Sequence, residues 1–199
     1  MKTKKNPLAC LRAQLRSVVC PMDEVCLSVP ARSSVFDLGC GTGAMLLDLI
    51  KTRGVKSVGG CEISESLLNV ARQSVSFELG NFGKFLQASS PPSCIADFDC
   101  ITLIDVLHHI PKDSQPSYLQ HVAKHMKSGA LLVLKDIDAS NPLVWFNRLH
   151  DAVFAGNGFQ EIGHAAAQQL VTESGLDVES TKKIRKLWYP HYFILARKL

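Results

Sequence analysis

The chain carries no G-x-x-x-x-G-K-[ST] and no G-x-G-x-x-G. Those absences remove the loops that wrap a nucleoside triphosphate and that seat a dinucleotide pyrophosphate on a helix N-terminus. No C-x-x-C pair occurs among its seven cysteines, so neither a zinc site nor a paired disulfide framework is indicated. No apolar run approaches the roughly 20 residues that a membrane-spanning helix needs. The opening residues MKTKKNPLAC are basic, but Arg12, Gln14 and Arg16 interrupt the apolar stretch behind them, and no A-x-A-like site follows. A secretory leader is therefore not expected. Cysteines embedded as small hydrophobes in DCITLI and VFDLGC suit a reducing compartment, and a cytoplasmic protein is expected. The net charge is only +4, with small clusters at Lys2–Lys5 and Lys182–Lys186. A nucleic-acid reader would show a denser cationic stripe with interleaved aromatics. These clusters read instead as a solvated tail and a solvated strand face.

What is present is a regular alternation. With 199 residues, 46% of them hydrophobic and 20% charged, the chain suits a single domain over 1–199 with a sizeable core. Strand signals fall at VFDL (35–38), VKSVGGCEI (55–63), KFLQA (84–88), FDCITLID (98–105), GALLVLKDID (129–138), LDVESTKKI (176–184) and HYFILARKL (191–199). Helical spacing fills AMLLDLIKTR (44–53), SESLLNVARQSV (64–75), a segment ending before Gly129, and HAAAQQLVTESG (164–175). Residues 1–29 read as an N-terminal helical segment, two short pieces broken near Pro21. Strands separated by helices predict a mostly parallel α/β sheet covered on both faces. The last two strands are joined too closely for a parallel crossover, so they are expected to form an antiparallel hairpin.

One loop in that frame asks for a ligand. VFDLGCGTG runs a strand into Gly39, Gly41 and Gly43 at G-x-G-x-G spacing. Three missing side chains there imply a close backbone approach to something other than a phosphate.

These blocks together resemble the class I S-adenosylmethionine (SAM)-dependent methyltransferases. The residues that carry the resemblance are VFDLGCGTG, the acidic strand end GGCEIS, FDCITLIDVLHHI, GALLVLKDID and the closing hairpin, in the family's order over roughly residues 30–199. The fold implied is a Rossmann-like seven-stranded sheet, mostly parallel, whose last strand is inserted antiparallel. The cofactor implied is SAM. By the same resemblance Asp37, Gly39, Cys40, Gly41 and Gly43 would meet its methionine and ribose part. Glu62 would take the ribose hydroxyls, Ile63 would pack on the adenine, and Asp105 and Val106 would border it. Taken singly, Glu62 also reads as a solvated strand-end acid and Asp37 as a turn cap. Family members often place an acidic residue after the third strand, to accept from the adenine amino group. This chain reads QASSPPS there, leaving Ser89 or Ser90, or a backbone carbonyl, for that role.

Acceptor chemistry is expected at the carboxyl ends of the fourth and fifth strands. His108 or His109 would serve as general base near neutral pH; each also reads as a structural histidine. Lys135 and Asp136 either form a simple salt bridge, Lys135 pairing with Asp136 or Asp138, or hold an anionic acceptor. The pair His150-Asp151 is a further candidate. Residues 141–163, with Trp145, Phe146, Phe154 and Phe159, read as a possible acceptor lid, and the N-terminal segment as a possible lid over the cofactor. No Asn- or Asp-Pro-Pro-Tyr occurs, which argues against methylation of nucleic-acid bases. The reading is therefore methyl transfer to a small-molecule or lipid-like acceptor, at oxygen, with no metal. The alternatives are a nicotinamide-dependent Rossmann oxidoreductase, disfavoured by the absence of Tyr-x-x-x-Lys, and a non-catalytic SAM-binding module.

Overall fold

The computed structural model of the protein describes residues 19–79, 83–144 and 160–199. Helix α1 (Met22–Ser28) follows Pro21 and leads into β1 (Ser34–Leu38), whose last four residues are buried. Helix α2 (Ala44–Arg53) starts after the glycine loop and is stopped by Gly54 in the left-handed conformation, φ +59. Strand β2 (Ser57–Glu62), helix α3 (Glu65–Leu79) and strand β3 (Gly83–Gln87) follow. A short 3-10 turn then precedes the wholly buried β4 (Cys100–Ile104). Helix α4 (Gln115–His125) begins with proline in its first turn and ends on Lys124 and His125, the charge its carboxyl end favours. Strand β5 (Leu131–Ile137), helix α5 (His164–Glu173) and the hairpin β6 (Leu176–Lys186) and β7 (Tyr189–Lys198) complete the chain.

The seven strands form one sheet in the order β3-β2-β1-β4-β5-β7-β6. Pairing is parallel except along β7, which runs antiparallel to both β5 and β6. This is the arrangement expected from the sequence, including the inserted antiparallel strand. Successive strand residues point to opposite faces, and the apolar residues divide accordingly. Val35, Cys100, Leu131 and Val133 pack under α1, α2 and α3, while Phe36, Ile101, Leu132 and Leu134 pack under α4 and α5. Fully burying each large aliphatic side chain stabilises the fold by about 1.5–3 kcal/mol. Strand order reverses on either side of β1. The crevice at the carboxyl ends of β1 and β4 is therefore where a ligand of such a sheet is received.

Candidate functional site

The loop after β1 leaves its backbone bare. Gly39, Gly41 and Gly43 all have positive φ (+81, +53 and +76), which side chains of L-residues rarely adopt. Their surroundings differ. A Cβ on Gly39 would lie 2.5 Å from Val106 Cγ2, and one on Gly43 would lie 3.1 Å from Ala71 Cβ of α3. A Cβ on Gly41 would meet nothing within 4 Å. Gly39 and Gly43 thus let the loop settle on its neighbours, whereas Gly41 borders open space. The N–H groups of Gly39 and Cys40 both donate to Cys61 O, at 2.8 and 2.9 Å. Cys40 itself is buried against Gly60, and burial pushes its thiol far above the ordinary range.

Glu62 ends β2 facing this loop. Its Oε2 accepts from Gly41 N–H at 3.1 Å and its Oε1 from Ser64 N–H at 3.0 Å. A carboxylate offers about four acceptor positions, so lone pairs on both oxygens remain for a neighbouring pair of hydroxyls. One carboxylate therefore spans the glycine loop and the start of α3. Asp37 is buried at the end of β1, and its Oδ1 accepts from Thr102 Oγ1 at 2.7 Å. Thr102 was not singled out in the sequence, because an internal strand threonine carries no signal.

Ile63 is 68% exposed. It forms one wall of a cleft of about 500 Å³ that Ser89, Ser90, His109, Tyr118 and His121 also line. An isoleucine kept in water beside a carboxylate suits the face of a flat ring. The hydroxyls on the facing wall suit that ring's polar edge. His109 belongs to this side. Its ring lies 4.0 Å from that of His108, centroid to centroid, but the side chain is exposed on the cleft.

The acceptor-side residues divide between the two faces of the sheet. Register places Lys135 beside Ile104, and alternation along β5 sends Lys135 and Asp136 in opposite directions. The Lys135 ammonium is fully buried, donates to Asp105 Oδ1 at 2.5 Å and lies 3.4 Å from Cys20 Sγ. Burial alone would lower its pKa; the Asp105 carboxylate overcomes this and holds it above the ordinary lysine value. Asp105 reaches it from a left-handed backbone, φ +56. The expected pairing of Lys135 with Asp136 or Asp138 is thus replaced by Asp105, because the partner comes from the adjacent strand end on the same face.

Asp136 serves His108 instead. His108 N–H donates to Asp136 Oδ2 at 3.1 Å, and its Nδ1 lies 2.5 Å from Oδ1. Asp138 accepts from Ser140 and from His164 N–H and pairs with Lys183 at 3.0 Å. Although burial opposes this, those donors hold its carboxyl at about 2.

Two further residues organise the site without any motif to mark them. The side-chain amide of Gln115, buried at the start of α4, donates to Leu107 O, Ile110 O and Gln160 O at 3.1, 3.0 and 2.8 Å. It ties down the turn that carries His108 and His109. His191 of β7 is also buried; its Nε2–H donates to Val19 O at 2.9 Å, and its Nδ1 has no partner. Burial, reinforced by Lys135, lowers its pKa to about 4. Trp145, Phe146, His150, Asp151, Phe154 and Phe159, and most of the two expected lids, lie outside the described residues.

A family model described as a methyltransferase domain matches residues 16–181. The chain is 29% identical over 181 residues to the O-methyltransferase resE of Aspergillus sclerotiorum, an alignment covering 86% of this chain and 65% of that one. It is 28% identical over 109 residues to a carboxy-S-adenosyl-L-methionine synthase of Campylobacter fetus subsp. fetus (strain 82-40), covering 52% and 44% respectively. The chain thus spans less than two thirds of the length of either relative. Among solved structures, magnesium protoporphyrin IX methyltransferase (ChlM) from Synechocystis PCC 6803 with bound SAH superposes with a TM-score of 0.68 at 20% identity, over 89% of this chain and 82% of that one. That likeness is one of fold.

Proposed function

Because this chain belongs to the class I S-adenosylmethionine-dependent methyltransferases, we propose that it transfers the methyl group of SAM to an oxygen of a small-molecule or lipid-like acceptor, with His108 as general base. The observation that carries the base assignment is the His108–Asp136 pair at the carboxyl end of the sheet, Nδ1 to Oδ1 at 2.5 Å. With Nδ1 committed to the carboxylate, Nε2 is the nitrogen that takes a proton from an acceptor hydroxyl. The buried Asp136 fixes the tautomer and steadies the imidazolium that results.

The residues fit the cofactor. Gly41 opens the backbone beside the ligand space, Glu62 keeps lone pairs for two ribose hydroxyls, and exposed Ile63 offers a face for adenine. Ser89 and Ser90, which line the same cleft, supply neutral acceptors where an acidic residue is common. SAM supplies an electrophilic methyl group on a sulfonium. The chain's own work is to align an acceptor lone pair with it and to receive the proton. Lys135 and Asp105 are assigned to holding the β4 and β5 ends in place, since the ammonium is wholly enclosed and paired. An oxygen acceptor is favoured by the likeness to an O-methyltransferase over most of this chain and by the presence of a carboxylate-held base. Family membership sets aside the oxidoreductase alternative.

The test is incubation of a cell lysate with methyl-labelled SAM and the purified protein, followed by separation into lipid, small-molecule, protein and nucleic-acid pools. Label in the lipid or small-molecule pool, abolished by His108→Gln, is expected. Label confined to RNA or protein would contradict the acceptor class.

A further inference from the structure

The cleft beside Ile63 has no charged side chain with which to read a base. Isoleucine, proline, serine, tyrosine and histidine line it, and among the described residues no carboxylate or ammonium joins them. One wall is the turn Ser89-Ser90-Pro91, and both of its serines are exposed.

That wall is held in place from both ends. Ala88 N–H donates to Glu62 O at 3.2 Å, and the Gln87 side-chain amide donates to Ile63 O at 3.0 Å. Pro91 is buried, and its carbonyl accepts from His121 Nε2–H of α4 at 3.0 Å. The turn is thus tied to the end of β2 on one side and to α4 on the other, while the two serine hydroxyls stand in water.

Hydroxyl chemistry decides what such a wall distinguishes. At its 6-position adenine presents an amino donor, whereas a 6-oxopurine presents a carbonyl acceptor. A carboxylate only accepts, so it would select the amino group. A serine hydroxyl has one hydrogen to donate and two lone pairs with which to accept, and it answers either substituent by rotating. Strong rejection of a misfit needs a buried polar group left without a partner. An exposed serine takes a water instead, and nothing is stranded.

We propose that this site accepts the 6-oxopurine counterpart of its cofactor nearly as well as the adenosyl form. Recognition then lies in the ring face and the ribose, read by Ile63 and Glu62, and not in the 6-substituent. Ser89 directly follows the residue bonded to Glu62, and it is the position assigned to the purine edge. The inference rests on the reading of this cleft as the adenine subsite.

The experiment is calorimetric titration of the full chain with S-adenosylhomocysteine and with S-inosylhomocysteine, its deaminated form. Dissociation constants within about tenfold of each other are expected. Ser89→Asp should tighten the first ligand and weaken the second, widening their ratio by about tenfold or more, because a charged acceptor bonds a donor roughly twice as strongly as a neutral one. Ser89 is exposed, so the variant should keep the melting temperature of the unaltered protein. Binding of S-adenosylhomocysteine with the inosyl compound weaker by more than tenfold would overturn the proposal and leave the cofactor reading standing. An unchanged ratio in Ser89→Asp would overturn the assignment of Ser89. Failure of both ligands to bind would overturn the cofactor reading, and this inference with it.

Discussion

Gly41 and Gly39 make a paired test of what a glycine in the cofactor loop does. Gly41→Val adds a side chain where nothing lies within 4 Å, at a left-handed φ of +53. It should cost the fold only about 1–2 kcal/mol, yet fill the ligand space and abolish SAM binding by calorimetry. Gly39→Ala drives a Cβ to 2.5 Å from Val106 Cγ2, so its main effect should be on thermal stability. If both variants lose stability equally while Gly41→Val still binds SAM, the division of roles is wrong. For His108→Gln, turnover should drop by about 10²–10⁴-fold while SAM affinity stays near that of the unaltered protein. A loss of melting temperature with unchanged turnover would instead make His108 a packing residue. At this scale the sequence marked the right positions but not their partners. Glu62 was visible as a strand-end acid, but its bonds to the Gly41 and Ser64 amides were not. Lys135 was visible as an unusual strand lysine, but its partner Asp105 comes from another strand end. Non-local register decides such pairings, and a lone chain does not print it.

Among the elements, the turn between β4 and α4 is held from behind by Gln115. The two hydrogens of its amide nitrogen are shared among three carbonyls, of which Leu107 O also accepts from Ile110 N–H, and stranding a buried acceptor costs about 1–3 kcal/mol. Gln115→Leu should therefore lower both thermal stability and turnover, while calorimetry finds SAM affinity little changed. A variant with full turnover would show that the 107–110 turn keeps its shape without the amide. The attachment of the segment before α1 to β7 has a pH signature. His191 is buried neutral with a pKa of about 4 against an ordinary 6.5, so the unfolded chain takes up the proton first as pH falls. Its contribution to stability is whole above about pH 6.5 and is lost progressively down to about pH 4, by up to ~3 kcal/mol. His191→Gln keeps a donor for Val19 O and should flatten that fall in melting temperature. Parallel losses in the two proteins across this window would sink the assignment. The boundaries of α2 over 44–53 and of most strands were legible, because periodicity and a stopping glycine such as Gly54 mark them locally. His191 and Gln115 were not, since a single polar residue within an apolar or helical stretch looks like any other.

Across the whole molecule, the sheet divides the apolar residues into two cores, and the order β3-β2-β1-β4-β5-β7-β6 puts the glycine loop, Glu62 and the His108–Asp136 pair at one end of it. Leu103 is fully buried in the α4–α5 side, and Leu103→Ala should destabilise the protein by about 2–5 kcal/mol in denaturant titration. A loss below ~1 kcal/mol would mean that this core is far looser than its burial indicates. The architecture was legible because strand–helix alternation and a hairpin too short for a crossover leave few topologies open. The acceptor was not, since the aromatics of 145–159 carry no spacing that names a ligand. The most direct measurement of the central claim is calorimetric titration of the purified chain with SAM, S-adenosylhomocysteine and NAD, beside Glu62→Ala. Binding of both adenosyl compounds, none of NAD, and a loss of roughly tenfold or more in the variant, consistent with removal of charged hydrogen bonds, is the predicted result. NAD binding without a SAM signal, or a Glu62→Ala protein that binds SAM undiminished, would contradict it.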